Sequence, residues 1–310
     1  MISMEAPAGA DVGCASLPGR LSILWRGPLD SCNYSCGYCP FAKRPVRADN
    51  LAEDRAALER FVDWVESAEH PLLDLLFTPW GEALVHRHYR EALVRLSRCP
   101  RVGRVAIQTN GSALGSWVAE ADPGRLGFWT TFHPGEADPG VFAGRIHAVV
   151  RQGFRVSVGG VASTATIAAL EDLHQRLPAG VVRWLNPRRP GPPLTGDLLD
   201  RCRRIDPWFD HGLVVHASRG RTCATGADVV SIDGSGDVRR CHFVDEILGN
   251  IYEAGWQRIL RRRTCPRAGC DCYIGYVHLD HLDLRRVYGA GVLERIPDPA
   301  FEPLPPALLA

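Results

Sequence analysis

The stretch CNYSCGYCP, residues 32–40, decides how this chain is read. It places Cys32, Cys36 and Cys39 on what reads as a loop, shortly after the apolar run LSILWR of residues 21–26. Thiolates are the usual ligands of iron–sulfur clusters. Three of them on a cluster of four irons leave one iron open to an exogenous ligand, whereas structural zinc asks for four closed ligands. No fourth cysteine or histidine lies beside the triplet.

Outward from this loop, short apolar runs alternate with amphipathic stretches. Residues 21–26, 72–78, 105–109, 126–132, 154–158 and 181–186 read as strands. Residues 56–69, 88–98, 141–153 and 165–177 have helical spacing, with Leu58, Phe61, Val62 and Val65 on one face of the first. This alternation predicts an α/β fold, a partial (β/α)6 TIM-type barrel on a parallel sheet. Chemistry in such folds sits at the C-terminal ends of the strands. There stand Trp80-Gly81-Glu82, Asn110-Gly111, His133, Gly159-Gly160 and Asn186.

After Asn186 the pattern changes. PRRPGPP at 187–193 has linker composition, and a short helix is expected around 198–204. Residues 229–232 and 238–241 predict a hairpin around Asp233-Gly234-Ser235-Gly236. The expected organisation is a disordered leader at 1–18, the barrel at 19–190 and a linker with helix at 191–222. A small β-hairpin/helix domain follows at 223–285, with an irregular Pro-rich tail at 286–310.

The 310 residues are 45% apolar and 23% charged, with a formal charge of +1. That balance gives no support for nucleic acid or an anionic membrane as partner. No apolar run is long enough to span a bilayer. The first twenty residues lack a charged start followed by an apolar core, so no export signal is read and a cytoplasmic protein is expected. Eleven cysteines in such a protein point to metal or redox chemistry before disulfides. Cys14 falls in the leader; Cys99 and Cys202 are isolated in helical stretches and read as buried small hydrophobes.

The triplet, with an aromatic before its last cysteine, resembles the radical S-adenosylmethionine (SAM) superfamily over roughly residues 20–190. The resemblance implies a [4Fe–4S] cluster on Cys32, Cys36 and Cys39 whose open iron is chelated by SAM. Reductive cleavage of SAM then gives a 5′-deoxyadenosyl radical that takes hydrogen from a substrate C–H bond. It also implies that Tyr38 lies by the adenine. Gly81 and Glu82 match the family's Gly-Gly-Glu motif at the SAM ammonium, with Trp80 replacing its first glycine. Thr109 and Asn110 would help to seat SAM, and Ser157 and Gly159 would meet its ribose and methionine. His133 is the candidate substrate contact, although a structural histidine is an equal reading. Asp206, Asp210, Glu136 and Asp138 are candidates for an acidic pocket.

Cys223, Cys241, Cys265, Cys270 and Cys272 crowd the last third. Cys223 and the Gly236-x4-Cys241 hairpin resemble the auxiliary-cluster domains called SPASM and its shortened form, the twitch domain. The resemblance implies a second [4Fe–4S] cluster on Cys223, Cys241, Cys270 and Cys272, with zinc on the same ligands as the alternative. Five cysteines for four positions leave one thiol, which could return a hydrogen atom to a substrate radical. Cys265 is the expected donor; Cys265 as ligand with another thiol free, or an inert thiol, stays open. Size and spare thiol resemble the radical SAM epimerases of aminoglycoside antibiotics, neomycin C epimerase among them. The implied activity is epimerisation of a carbinol carbon of an aminoglycoside or other sugar. Its partners would be a small-molecule substrate and an electron donor such as flavodoxin or ferredoxin. A radical SAM dehydrogenase and a peptide-modifying maturase are the other readings.

Overall fold

The structure is a computed structural model that describes residues 19–39, 41, 44–67 and 72–303. The expected leader and Cys14 lie outside these residues. Six parallel strands pair in sequence order: β1 (Arg20–Arg26), β2 (Leu72–Phe77), β3 (Val102–Thr109), β4 (Leu126–Thr131), β5 (Arg155–Ala162) and β6 (Val182–Pro187). The sheet does not close, because β6 and β1 do not pair. The outcome is the expected partial barrel.

Helices α1 (Ala48–Ser67), α2 (Arg87–Arg98), α3 (Pro139–Arg151), α4 (Ile167–Arg176) and α5 (Gly196–Ile205) connect the strands or follow the sixth. α1 buries Leu58, Phe61, Val62 and Val65, the apolar face read from sequence. It begins eight residues earlier than its apolar spacing suggests. Its first turns are polar, and the residue they bury is Asp54. α3 starts cleanly because Asp138 accepts from Val141 N at 2.8 Å and Pro139 stands in the first turn. Between β3 and β4 the chain makes only a 3-10 turn, Ser116–Glu120, in place of a sixth barrel helix. Cys99 and Cys202 are buried among the apolar side chains, as expected.

A short helix α6 (Phe209–Leu213) leads into two small ladders. In one, β8 (Thr222–Cys223) pairs with β12 (Arg263–Thr264); in the other, β7 (His216–Ala217) pairs with β13 (Gly269–Cys270). The hairpin β9 (Val229–Asp233) and β10 (Asp237–Arg239) is where sequence put it, but it does not stand apart. β9 pairs in parallel with β1, and β11 (Ile247–Asn250) adds to β10, giving one nine-stranded sheet. The Leu-Gly-Asn of residues 248–250 therefore forms an edge strand.

The barrel lumen is not empty. Leu24, Leu76, Ala106, Trp129 and Trp184 on its strands pack with Tyr273 and Tyr276 of α7 (Tyr273–Tyr276), Tyr288 of α8 (Leu284–Tyr288), and Leu293. The tail read as irregular thus closes the barrel from within. No helix among the described residues is long and apolar enough to cross a membrane.

Candidate functional site

The C-terminal ends of β1 to β4 surround a cavity of 170 Å3. Its walls include Cys32, Cys36 and Cys39 with Gly81, Glu82, Thr109, Asn110 and His133. Strand order accounts for this: each residue follows, or ends, one of four adjacent strands.

Glu82 is the hub. It is 2% exposed, and its carboxylate accepts from Thr109 Oγ1 at 2.7 Å, Leu84 N at 3.0 Å and Asn110 N at 2.5 Å. Burial pushes its pKa up to about 7, against the pull of those three donors. Asn110 passes the connection to the cysteine loop, donating from Nδ2 to Asn33 Oδ1 at 2.9 Å. Glu82 N donates to Ser31 O at 3.1 Å.

The opposite wall clamps the same loop. His133 Nδ1 lies 2.9 Å from Tyr38 Oη and 3.3 Å from Cys36 Sγ, and its ring stacks on Tyr38 at 5.9 Å. Burial lowers the His133 pKa to about 4, so the ring is neutral. Glu136 accepts from Ser35 N and Ser35 Oγ at 3.1 and 3.2 Å. Both residues hold the cysteine loop from the turn after β4.

Ser157 and Gly159 are not brought to this cavity. Ser157 is fully buried and donates to the backbone carbonyl of Glu294. Gly159 lies against Trp184, where any Cβ would collide with the Trp184 carbonyl. The candidate acidic pocket does not assemble either. Asp206 lies 3.7 Å from the buried Arg295, Asp210 pairs with Arg203 at 2.9 Å, Glu136 holds Ser35 and Asp138 caps α3. Lone acids in sequence gave no sign of these local partners.

The five later cysteines do come together. The two small ladders carry Cys223 and Cys270, Cys265 directly follows β12 and bridges to Arg219, and Cys241 follows β10. Burial pushes the Cys270 thiol up to about 12, with Cys272, Cys241, Cys223 and Cys265 all contributing as neighbours. Burial also raises Cys241, which has Cys223 and Cys265 beside it. Cys272, beside Cys270, also has Asp271, Arg295 and Arg26 near it, the last on the barrel strand β1. Cys265 and Cys272 both belong to the grouped thiols, and Cys272, which is exposed, also has the barrel residue Arg26 beside it.

Both cysteine groups fit iron–sulfur clusters by donor type, since soft thiolates suit iron–sulfur chemistry. Among the described residues, no three or more His, Cys, Asp or Glu side chains converge on one lone ion. In a polynuclear cluster each thiolate meets its own iron, so the ligands stand further apart.

Sequence reasoning missed Arg26 and His242. Arg26 Nε donates to Thr78 O at 2.8 Å, and its guanidinium lies 4.2 Å from the Trp80 ring centre. His242 is held between Thr78 Oγ1 at 2.8 Å and Ser231 Oγ at 2.5 Å. Neither belongs to a motif; the pairing of β9 with β1 is what brings them together.

No family model matches this sequence, and no curated protein is significantly similar to it. Solved structures are similar to it. Native anSMEcpe with bound AdoMet is 16% identical, with 77% of this chain and 80% of that chain covered and a TM-score of 0.50. SuiB of Streptococcus suis is 14% identical over 78% of this chain and 65% of its own, with a TM-score of 0.43. BtrN in complex with AdoMet and 2-DOIA is 17% identical over 77% and 81%, with a TM-score of 0.38.

Proposed function

We propose that this chain, which has the fold of radical SAM enzymes, is a radical SAM enzyme that epimerises a carbinol carbon of an aminoglycoside or other sugar. The observation that carries the epimerase reading is the gathering of five later cysteines, one more than a [4Fe–4S] cluster takes. Cys270 has Cys272, Cys241, Cys223 and Cys265 as neighbours, and of these Cys272 also has Arg26 of the barrel beside it. We therefore take Cys223, Cys241, Cys265 and Cys270 as the ligands of an auxiliary cluster and Cys272 as the spare thiol. Cys32, Cys36 and Cys39 would hold the first cluster. With SAM bound, such a cluster would supply the electron that cleaves the sulfonium and so the radical that takes a substrate hydrogen.

This chain's residues do the rest. Glu82, Thr109 and Asn110 fix one wall of the cavity and accept the ammonium and carboxylate ends of SAM. Tyr38 and His133 set the loop. A bound substrate loses a hydrogen atom to the radical on one face. Cys272 then donates its thiol hydrogen to the carbon from the other face, leaving a thiyl. One electron from a low-potential donor such as flavodoxin or ferredoxin, with one proton from solvent, restores the thiol. This assigns the donor to Cys272 in place of the Cys265 expected from spacing.

Turnover of a candidate sugar in D2O tests the reading. An epimerase inserts solvent deuterium at the inverted carbon through the exchangeable thiol; a dehydrogenase inserts none, and that result would exclude epimerisation. Cys272→Ala should retain SAM cleavage and full iron content but lose the epimer. Cys265→Ala should lose iron. The reverse pattern returns the donor role to Cys265.

A further inference from the structure

Beside the cysteine cavity lies a second and larger one, a groove of 740 Å3 between the end of β1, the start of α1 and the β9–β10 hairpin. Its size suits a small-molecule ligand. Trp80 lines both cavities, so it is a shared wall. Phe41 braces Trp80 from the cysteine-loop side, ring centres 4.8 Å apart. Arg26 stacks on it within the groove.

Arg26 is unusual in its lack of a counterion. Among the described residues no carboxylate forms an ion pair with it. Its neighbour across the ladder is Asp233, but that side chain is already taken. Asp233 accepts from Ser235 N at 3.0 Å, from Asp237 N at 3.1 Å and from Arg239 Nη1 at 2.6 Å. Arg26 spends only Nε, on Thr78 O. The planar end of the guanidinium is left to the groove. A partly buried charge without a partner is costly, and such sites are kept where a ligand supplies the partner. A guanidinium fork is shaped for the paired oxygens of a carboxylate or phosphate.

We propose that this groove is the substrate site and that Arg26 anchors it, so that the substrate carries a carboxylate or phosphate group. The inference rests on the radical SAM reading for what the bound molecule undergoes, but not for what binds. Trp80, on which Arg26 stacks, is the wall shared with the cavity of the first cysteine group, so a molecule held by Arg26 lies beside that cavity. Burial lowers Arg26 to about 10, which leaves it cationic at neutral pH. His242, both of its ring nitrogens held by Thr78 and Ser231, is a fixed wall of the groove.

Calorimetric titration of the full chain with its clusters reconstituted tests this, using glucose, glucosamine, glucuronate and glucose 6-phosphate as probes. Either anionic sugar should bind about tenfold or more tightly than glucose. The tighter of the two identifies a carboxylate or a phosphate as the natural group. Arg26→Met should abolish the preference and Arg26→Lys should retain part of it, with circular dichroism and iron content showing that each variant is folded. If Arg26→Met does not fold, a full preference in Arg26→Lys overturns the assignment of the fork. Glucose or glucosamine binding as well as the anions, no binding of either anion, or an unchanged preference in Arg26→Met overturns the proposal. Cleavage of SAM to 5′-deoxyadenosine by the wild type is measured separately. Its absence would count against the radical SAM reading and leave the anion preference to be judged alone.

Discussion

Arg104 donates to the carboxylate of Glu294 at 2.6 Å, joining the inner face of β3 to a residue 190 positions later. Glu294 is fully buried, with Arg155 on its other side at 3.6 Å, and Gly127 of β4 leaves the space that its side chain fills. Next to it Arg295 is 1% exposed, donating to Asn186 Oδ1 at 2.8 Å and Leu185 O at 3.2 Å while Trp184 and Tyr273 flank its guanidinium at 5.0 and 4.9 Å. The C-terminal segment is thus an internal floor of the barrel. Removing one partner of a buried ion pair strands the other, at about 3–5 kcal/mol. Glu294→Ala should therefore lower stability by about that amount in urea unfolding. A loss below about 1 kcal/mol would mean that the floor does not bear on the barrel.

None of this floor was legible in the sequence. Glu294 and Arg295 sit in a stretch without strong apolar period, and their partners lie on strands far upstream. The strands were legible because a parallel barrel buries both faces of each strand, so every one reads as an apolar run. The cysteine loop was legible because its ligands are close in sequence. Arg26 was not, because it ends an apolar strand and acquires meaning only when β9 pairs beside β1. Asp54 hid the start of α1 for a related reason. A buried carboxylate breaks the apolar spacing by which helices are recognised.

Asp54 also connects the helix layer to the cysteine loop. It is fully buried and accepts from Tyr89 Oη at 2.9 Å and from Leu29 N at 3.0 Å, with His88 Nε2 at 3.0 Å. Leu29 stands three residues before Cys32. Asp54→Ala leaves these donors unsatisfied and should cost about 2 kcal/mol or more. It should also loosen the base of the loop, so that iron incorporated at Cys32, Cys36 and Cys39 falls. Anaerobic reconstitution followed by iron analysis measures this; full loading in a destabilised variant would separate the network from the loop.

Acid should weaken the fold through buried neutral histidines. Burial lowers His278 to about 3, with Arg285 adding to it, and lowers His211 to about 4, with His216 and Arg295 adding against the pull of Asp210. The ordinary value is 6.5. Between these values the unfolded chain binds more protons than the folded one, so this stability is whole above about pH 6.5 and is lost as pH falls toward about 4. Glu82, held up at about 7, acts in the opposite sense, because its ionisation weakens the fold as pH rises from 4.5 to 7. The histidine contribution is therefore read from a variant. The Tm of His278→Leu should fall less between pH 7 and pH 5 than that of the wild type. Parallel curves would show that His278 carries no part of the acid sensitivity.

Gly275 offers a way to disturb the second cysteine group alone. It sits in α7, and a Cβ there would come within 2.6 Å of Cys270 Sγ and 3.0 Å of the Phe243 ring. Overpacking of this kind costs about 1–3 kcal/mol and moves the softer neighbour. Cys270 lies at the end of a two-residue strand and is the more easily displaced. The triplet at 32–39 belongs to a separate cavity lined by β1 to β4 and does not share this contact. If the chain holds the two clusters proposed, Gly275→Ala should therefore fold with near-wild-type circular dichroism and reconstitute with about half the iron, roughly four atoms per chain in place of roughly eight. SAM binding at the first group should persist. Equal iron in variant and wild type would mean that Cys270 is not a ligand, and a fall to none would mean that the two groups do not load independently.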